Sequence, residues 1–163
     1  MEEYQTIRHT FEPVWDEHSE ILIVGTFPSV KSRENNFYYG HPQNRFWKML
    51  ARLYHQELPQ TIEEKKALVL SRHLAVWDVI SQCDIIGSSD SSIRNVVASD
   101  IAGLLAKSRI HTIAANGAKA YDLYKKHQLA QTGLEAVKLP STSPANAAWT
   151  LERLQEAWGR VLL

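Results

Sequence analysis

Cysteine is nearly absent from the sequence, since Cys83 is the only one in 163 residues. No disulfide can therefore form within the chain, and a single unpaired thiol is typical of a reducing compartment. No run approaches the roughly 20 apolar residues of a membrane-spanning helix. The N-terminal residues are too acidic and polar for a signal peptide. We expect a cytoplasmic protein that has no membrane partner.

The usual signatures of metals and nucleotide cofactors are also missing. The seven histidines and one cysteine show no spacing typical of metal ligands. Neither a glycine-rich phosphate loop nor a dinucleotide-binding fingerprint occurs, which argues against ATP and dinucleotides. No lysine is marked out as a Schiff-base nucleophile, so a strand-cutting lyase step is not expected. The sequence predicts no metal and no cofactor.

An excess of charge is missing too, because 18 Lys and Arg residues balance 18 Asp and Glu residues. This balance argues against a protein that coats nucleic acid by bulk electrostatics. The two signs are nevertheless separated, since the first 20 residues, Glu2 among them, are mainly acidic. The central stretch carries basic side chains opposed only by Glu34, namely Lys31, Arg33, Arg45, Lys48 and Arg52. These basic side chains either make a few contacts with DNA phosphates or simply form a solvated face of the protein.

Short apolar runs alternate with helical patterns along the chain. Strands are predicted at 21–24, 74–80, 110–115 and 135–139. Helices are predicted from Pro42, from Thr61 to about His73, from around Ser91, over 118–129 and over 147–163. The first twenty residues are predicted to form an irregular arm. This alternation indicates one α/β domain, residues 1–163, built as a three-layer α/β/α sandwich around a central four-stranded parallel sheet.

Each predicted strand leads into a polar loop. The loops begin with GTFPS at Gly25, SQCDIIGSSDSSI at Ser81, NGAK at Asn116 and PSTSPAN at Pro140. Because the carboxyl ends of parallel strands lie at one edge of the sheet, we expect the four loops to form a single cleft. Taken alone, the first of them could also be a plain solvated surface loop.

Three segments in these loops resemble motifs of a known family. GTFPS at 25–29, YYGHPQNRFWK at 38–48 and LPSTSPAN at 139–146 are similar to segments of the uracil-DNA glycosylase superfamily, most closely of its hypoxanthine-DNA glycosylase branch. They occur in the same order and span most of the chain. The resemblance implies a monofunctional glycosylase that hydrolyses the N-glycosidic bond of a flipped-out deaminated base in base excision repair. It also implies double-stranded DNA as partner, hypoxanthine as the favoured base, uracil as another, and a monomer that is nucleoid-associated when bound to DNA.

The same resemblance assigns roles to individual residues. It implies that Asn44 and Asn116 are catalytic, one orienting water and the other bonding the departing base, in an order that could be reversed. Residues implied to bind the base, with Tyr39 stacking on it, are Gly25, Thr26, Phe27, Tyr39 and His41. Residues implied to contact DNA are Pro28, Ser29, Ser91, Ser141, Thr142, Ser143, Pro144, Ala145 and Asn146.

Each of these side chains also has a purely structural alternative. Tyr39 could be a packed core aromatic, Asn44 a hydrogen bond at a helix start, and Asn116 part of a plain turn. Asp90, Ser91 and Ser92 are most simply the cap of the helix predicted after them, and Asn146 the cap of the last helix.

The chain departs from the superfamily at Phe27, where most members carry a polar residue that activates water. The hypoxanthine branch also lacks that residue, so another group is expected to position the water, and efficient uracil removal is not expected. Two alternative functions remain. One is a lesion-binding module that does not cleave, and the other is an α/β enzyme that processes free nucleosides.

Overall fold

The computed structural model describes residues 3–163, so Glu2 lies outside the described part. Its strands and helices follow one another as β1 (Gln5–Arg8), β2 (Ile21–Gly25), α1 (Val30–Asn35), α2 (Phe46–Leu53), α3 (Ile62–Ser71), β3 (Leu74–Asp78), β4 (Ile80–Ile85), β5 (Arg94–Ala98), α4 (Ile101–Ala106), β6 (Thr112–Asn116), α5 (Ala118–His127), α6 (Leu129–Thr132), β7 (Ala136–Leu139) and α7 (Leu151–Leu162).

A four-stranded parallel sheet in the order β3-β2-β6-β7 forms the centre of the molecule. Side chains of β2 alternate between its two faces, because successive residues of a strand point to opposite sides. Ile23 packs with helices α2, α3 and α7, whereas Leu22 and Val24 pack with α4 and α5. Both faces are therefore covered by helices, which confirms the predicted three-layer α/β/α sandwich.

A second sheet was not expected from the sequence. Strand β1 pairs antiparallel with β4, and β4 pairs antiparallel with β5. The prediction of an irregular N-terminal arm is therefore wrong for residues 5–8. The predicted strand 74–80 is also two strands, because β3 ends at Asp78 and the amide of Val79 turns to donate to the Gly25 carbonyl at 2.8 Å.

The helix predicted from Ser91 is wrong as well. Residues 90–92 form a single 3₁₀ turn that leads into β5, so Asp90 and Ser91 cap no α-helix. Val97, Ile101 and Leu104 follow one another at helical spacing in the sequence, but Val97 lies in β5 and the other two lie in α4. Val97 is 50% exposed rather than buried in the core. The α-helix begins only at Ile101, where the carboxylate of Asp100 accepts from the Gly103 amide at 3.0 Å.

Two other helices begin four residues later than predicted. Helix α2 begins at Phe46 instead of Pro42, and α7 begins at Leu151 instead of Ala147. Thr150 is the N-cap of α7, so Asn146 is not. The residues before each helix stay irregular because they contact one another, as the Arg45 amide donates to the Thr142 carbonyl at 3.1 Å. The Thr61 cap of α3 is confirmed by the Glu64 amide at 3.0 Å.

No helix in residues 3–163 combines the length and the apolar composition that a membrane crossing requires.

Candidate active site

A cleft of about 350 Å³ lies at the carboxyl edge of the central sheet. All four polar loops contribute to it, as the strand order places Asp78, Gly25 and Asn116 side by side at the ends of β3, β2 and β6. Of the residues singled out in the sequence, those that line the cleft are Gly25, Thr26, Phe27, Ser29, Tyr39, His41, Asn44, Asn116, Ser141, Thr142, Ser143, Pro144 and Ala145.

The other three residues singled out in the sequence do not line this cleft. Pro28 is buried behind it, and Ser91 is exposed in the 3₁₀ turn. Asn146 lies on the far side of the 141–146 loop, where it lines a neighbouring groove of about 600 Å³. Its side-chain amide donates to the Ser141 carbonyl at 3.0 Å and so closes the loop on itself.

Thr142 connects the two predicted catalytic amides and is completely buried. Its backbone amide donates to Asn116 Oδ1 at 3.0 Å, and Asn116 Nδ2 donates to the Thr142 hydroxyl at 3.0 Å. The hydroxyl in turn donates to Asn44 Oδ1 at 2.9 Å, and the Phe46 amide donates to the same oxygen at 2.9 Å. Because backbone amides can only donate, they fix which end of each side-chain amide is the oxygen.

This network determines what the two amides can offer a ligand. The oxygen of Asn44 already accepts two hydrogen bonds, while both N–H groups of its Nδ2 have no protein partner in residues 3–163. Asn116 keeps one free N–H, because the other donates to Thr142. Both side chains therefore present donors to the cleft, as a site for an oxygen or nitrogen lone pair would require.

Tyr39 is strained and incompletely bonded. Its φ of 52° lies in the left-handed region, which is uncommon for a bulky residue. Its ring stacks on Phe46 at 4.2 Å, so one face of the ring is already covered. Its hydroxyl is buried without a hydrogen-bond partner in the described residues. Burial, and then the charge of Asp78, raise the pKa of the Tyr39 hydroxyl. The nearby Asn116 amide lowers that pKa, although the two groups do not form a hydrogen bond of normal geometry.

Asp78 and His9 belong to this site but were missed in the sequence. Asp78 lines the cleft, and its Oδ2 is 2.8 Å from His9 Nε2. Both side chains are almost completely buried, at 5% and 4% exposure. An acidic residue inside the apolar run LAVWDVI was a usable signal for Asp78, whereas nothing near His9 distinguishes it. Ser32 also lines the cleft and was not predicted to do so, whereas Ser88 and Asp90 belong to the loop at 81–93 that was expected there.

Phe27 presents an apolar ring to the cleft. The ring is 8% exposed and lies edge-on to the His9 ring at 6.1 Å. His41 also lines the cleft and can offer a polar contact from the loop that precedes α2. Its Nδ1 accepts from the Gln43 amide at 3.1 Å, which leaves Nε2 as the other polar atom of the ring.

The basic residues of the central stretch mostly bond to the protein itself. Arg45 donates to the carbonyls of Ser143 at 2.9 Å and Asn146 at 3.0 Å, and also to that of Trp149. Arg33 donates to the Gly87 carbonyl at 3.0 Å. Among the described residues that line the cleft, none is Lys or Arg. Arg45 therefore shapes the 141–149 loop and has little capacity left for phosphate.

Residues 3–163 contain no group of three or more His, Cys, Asp or Glu side chains placed to hold a metal ion.

Comparison with known proteins gives a consistent result along nearly the whole chain. Residues 13–161 match the family model of the uracil DNA glycosylase superfamily. The chain is 34% identical over 152 residues to a hypoxanthine DNA glycosylase of Methanosarcina acetivorans, covering 92% of this chain and 95% of that relative. It is 35% identical over 86 residues to a hypoxanthine DNA glycosylase of Methanosarcina barkeri, covering 52% of this chain and 54% of that relative.

A solved structure shows the same similarity in three dimensions. The solution NMR structure of a Methanosarcina acetivorans protein, described as a candidate uracil DNA glycosylase, matches this fold with a TM-score of 0.81. The two proteins are 32% identical, and the match covers 97% of each chain.

Proposed function

The chain belongs to the uracil DNA glycosylase superfamily, and we propose that it is a DNA glycosylase that removes hypoxanthine by hydrolysing its N-glycosidic bond. Its relatives named hypoxanthine DNA glycosylase support the reaction and the base. Within the site, the observation that carries the proposal is the bonded series Asn44, Thr142 and Asn116 at the edge of the cleft. It brings residues from three distant loops into one fixed set of donors.

Base excision requires the nucleotide to leave the duplex and enter the cleft. Because Phe46 covers one face of Tyr39, the flipped base would stack on the other face. The free N–H of Asn116, at the end of β6, would donate to the base. Bond cleavage gives the sugar positive and the base negative character, as in glycoside hydrolysis. Fixed donors stabilise the charge that develops on the base.

Asn44 is suited to hold the attacking water. Its two free N–H groups can bind the water oxygen, and Thr142 fixes their direction. An amide is a poor general base, so its contribution is to position the water beside the sugar. This assignment accounts for catalysis with Phe27 in the cleft in place of a water-activating polar side chain.

The 141–145 loop and Ser29 would contact the DNA around the flipped nucleotide. Their hydroxyl groups and backbone amides suit phosphate oxygens. Ser141, Ser143, Pro144 and Ala145 lie on one wall of the cleft, which supports a contact along one strand. Thr142 is the exception, because it is buried and both its amide and its hydroxyl bond to the two asparagines. We extend the proposal to double-stranded DNA with a damaged base as substrate, to a monomer as the active form, and to the cytoplasm as location.

The test is excision from duplexes that contain hypoxanthine, uracil, xanthine or a G/T mismatch, followed by alkali. Strand breaks that appear only after alkali, fastest with hypoxanthine, are expected. Asn44→Ala, which removes the donors that position the water, and Asn116→Ala, which removes a donor to the charge developing on the base, should each lower the single-turnover rate by about 10²- to 10³-fold. Gln131→Ala, which removes an exposed amide outside the cleft, is the matched control.

Other results would point elsewhere. Binding of the hypoxanthine duplex without breaks would indicate a lesion-binding module, and turnover of free inosine with inert DNA would indicate a nucleoside-processing enzyme. Wild-type rates in both asparagine variants would contradict the site even if the wild-type protein excised hypoxanthine.

A further inference from the structure

Asp78 is a nearly buried carboxylate that the mechanism above does not use. It is the last residue of β3 and lies opposite Gly25 of β2 in the parallel register. It lines the cleft although only 5% of its side chain is exposed. A carboxylate held so far from bulk water is costly unless it has partners. Asp78 is therefore expected to be held by hydrogen bonds.

The two oxygens of Asp78 have different surroundings. Oδ2 accepts from His9 Nε2 at 2.8 Å, and the ring of His9 is in turn fixed against Phe11 and Tyr38. Oδ1 lies over Gly25, since a β-carbon at position 25 would approach it to 2.5 Å. No hydrogen bond of the described residues reaches Oδ1. One oxygen is thus committed to His9, and the other remains as a single acceptor beside the cleft.

The neighbours of Oδ1 define what could approach it. Gly25 contributes no side chain, and the Tyr39 hydroxyl lies on the same side of Gly25, 3.1 Å from the same imagined β-carbon. Asn116 is on the other side of β2, because the strand order is β3-β2-β6. Where the cleft passes Gly25 it is therefore bordered by an acceptor, Asp78 Oδ1, on the β3 side, by a donor, Asn116, on the β6 side and by the Tyr39 hydroxyl.

We propose that Asp78 Oδ1 accepts the ring N–H that deamination creates, and so acts as the residue that separates deaminated bases from their parents. Deamination of adenine converts N1 from an acceptor into an N–H donor beside the new O6, and deamination of cytosine does the same at N3. A carboxylate can only accept, so it bonds the deaminated ring and repels the lone pair of the parent ring. The donor of Asn116 complements the new keto oxygen.

His9 acts through Asp78 and is a positioning residue. It must donate through Nε2, because an ionised carboxylate has no hydrogen to offer. By holding Oδ2, it leaves one acceptor for one ring N–H. The carboxylate alone does not separate hypoxanthine from guanine or thymine, whose rings also carry an N–H. It separates hypoxanthine from adenine and uracil from cytosine.

This inference rests on the proposed function, and its test compares bases instead of measuring activity alone. Single-turnover excision is measured on duplexes with hypoxanthine, adenine or 6-methoxypurine, each opposite cytosine. The last base keeps an oxygen at C6 but has an unprotonated N1. The wild-type enzyme should excise it about tenfold to a hundredfold more slowly than hypoxanthine, the usual effect of losing one hydrogen bond to a charged group. This comparison uses only the wild-type protein, so its result does not depend on whether a variant folds.

Asp78→Asn provides the second arm. His9 donates to the asparagine oxygen, so the new amide turns its N–H groups toward the cleft, where they match N1 of adenine and oppose N1–H of hypoxanthine. The ratio of hypoxanthine to adenine excision should fall by at least about tenfold. Asp122→Asn, which neutralises an exposed carboxylate on α5, should leave that ratio unchanged.

The two levels of failure are distinguishable. A wild-type enzyme that leaves hypoxanthine in place contradicts the proposed function. A wild-type enzyme that excises hypoxanthine and 6-methoxypurine equally well contradicts the role of Asp78 alone. The same conclusion follows if Asp78→Asn slows excision of every base by one common factor, because a purely structural role would have that effect.

Discussion

At the scale of single residues, Thr142 is the best example of a side chain whose importance lies in what it orients. It is fully buried, and its hydroxyl accepts from Asn116 and donates to Asn44 at the same time. We predict that Thr142→Val, which keeps the shape but removes the hydroxyl, lowers single-turnover excision by about 10- to 100-fold, because each amide loses one of the two hydrogen bonds that orient it. The Asn116 N–H that loses its acceptor should also lower the free energy of unfolding by about 1–3 kcal/mol.

Thr142→Ser is the matched control, because it retains the hydroxyl and removes only a methyl group. Excision by this variant should stay close to the wild-type rate, and urea unfolding of both variants separates the effect on stability from the effect on catalysis. A valine variant as active as the serine variant would show that Asn44 and Asn116 do not need this connection.

Residues of the site differ in how far the sequence could predict them. Asn44, Asn116 and Thr142 lie in or beside recognisable strand-end motifs, and the structure brings them together as expected. The contact between His9 and Asp78 joins residues 69 positions apart and depends on the pairing of β1 with β4. No local pattern predicts that pairing, because it is decided by tertiary packing. Arg45 shows the reverse case, since its charge suggested DNA while its guanidinium bonds to the 141–149 loop.

At the scale of secondary structure, the parallel strands were predictable to within a few residues because each is a short apolar run buried on both faces. The antiparallel sheet was not, since β5 is largely exposed and β1 is polar. The predicted starts of α2 at Pro42 and of α7 at Ala147 were too early because residues 42–45 and 147–150 favour a helix locally. Their contacts with the neighbouring loop override that preference.

The second sheet should be sensitive to acid through Asp84. The Asn95 amide donates to its carboxylate at 2.8 Å and the Thr6 hydroxyl at 2.5 Å, and these hydrogen bonds lower the pKa of Asp84 below its ordinary value of 3.8. Folding therefore favours the ionised form. Its contribution to stability is fully present above pH 3.8 and is lost as the pH falls through the lower pKa of the folded state.

We accordingly predict that Asp84→Asn lowers the urea midpoint relative to the wild-type protein at about pH 7, and that the difference narrows as the pH falls below the ordinary carboxyl pKa. Hydrogen exchange of the β1 and β4 amides should report the same loss locally. Asp122→Asn, on an exposed helix face, controls for the removal of one negative charge. A difference that stays constant down to low pH would contradict the role of the two hydrogen bonds.

At the scale of the whole molecule, affinity for DNA has to come from few charges. The formal net charge is zero, and no Lys or Arg is found among the described residues lining the cleft. Lys31 pairs with Glu34 at 3.3 Å, Arg52 approaches Glu152 at 3.5 Å, and Arg45 bonds to loop carbonyls. Binding should therefore depend on hydroxyl groups, backbone amides and the inserted base more than on release of counterions.

This balance predicts a weak dependence of binding on salt. A plot of log Kd against log salt concentration for a hypoxanthine duplex should have a slope no steeper than about 3, because each neutralised phosphate contributes about 0.9. The Asn44→Ala variant is used for the titration, so that the base stays in place during the measurement. Titration of an undamaged duplex of the same length measures the part of the binding affinity that does not depend on the lesion. A slope near 6 or above would mean that six or more phosphates are neutralised, and a basic face outside the cleft would then have to bind the duplex.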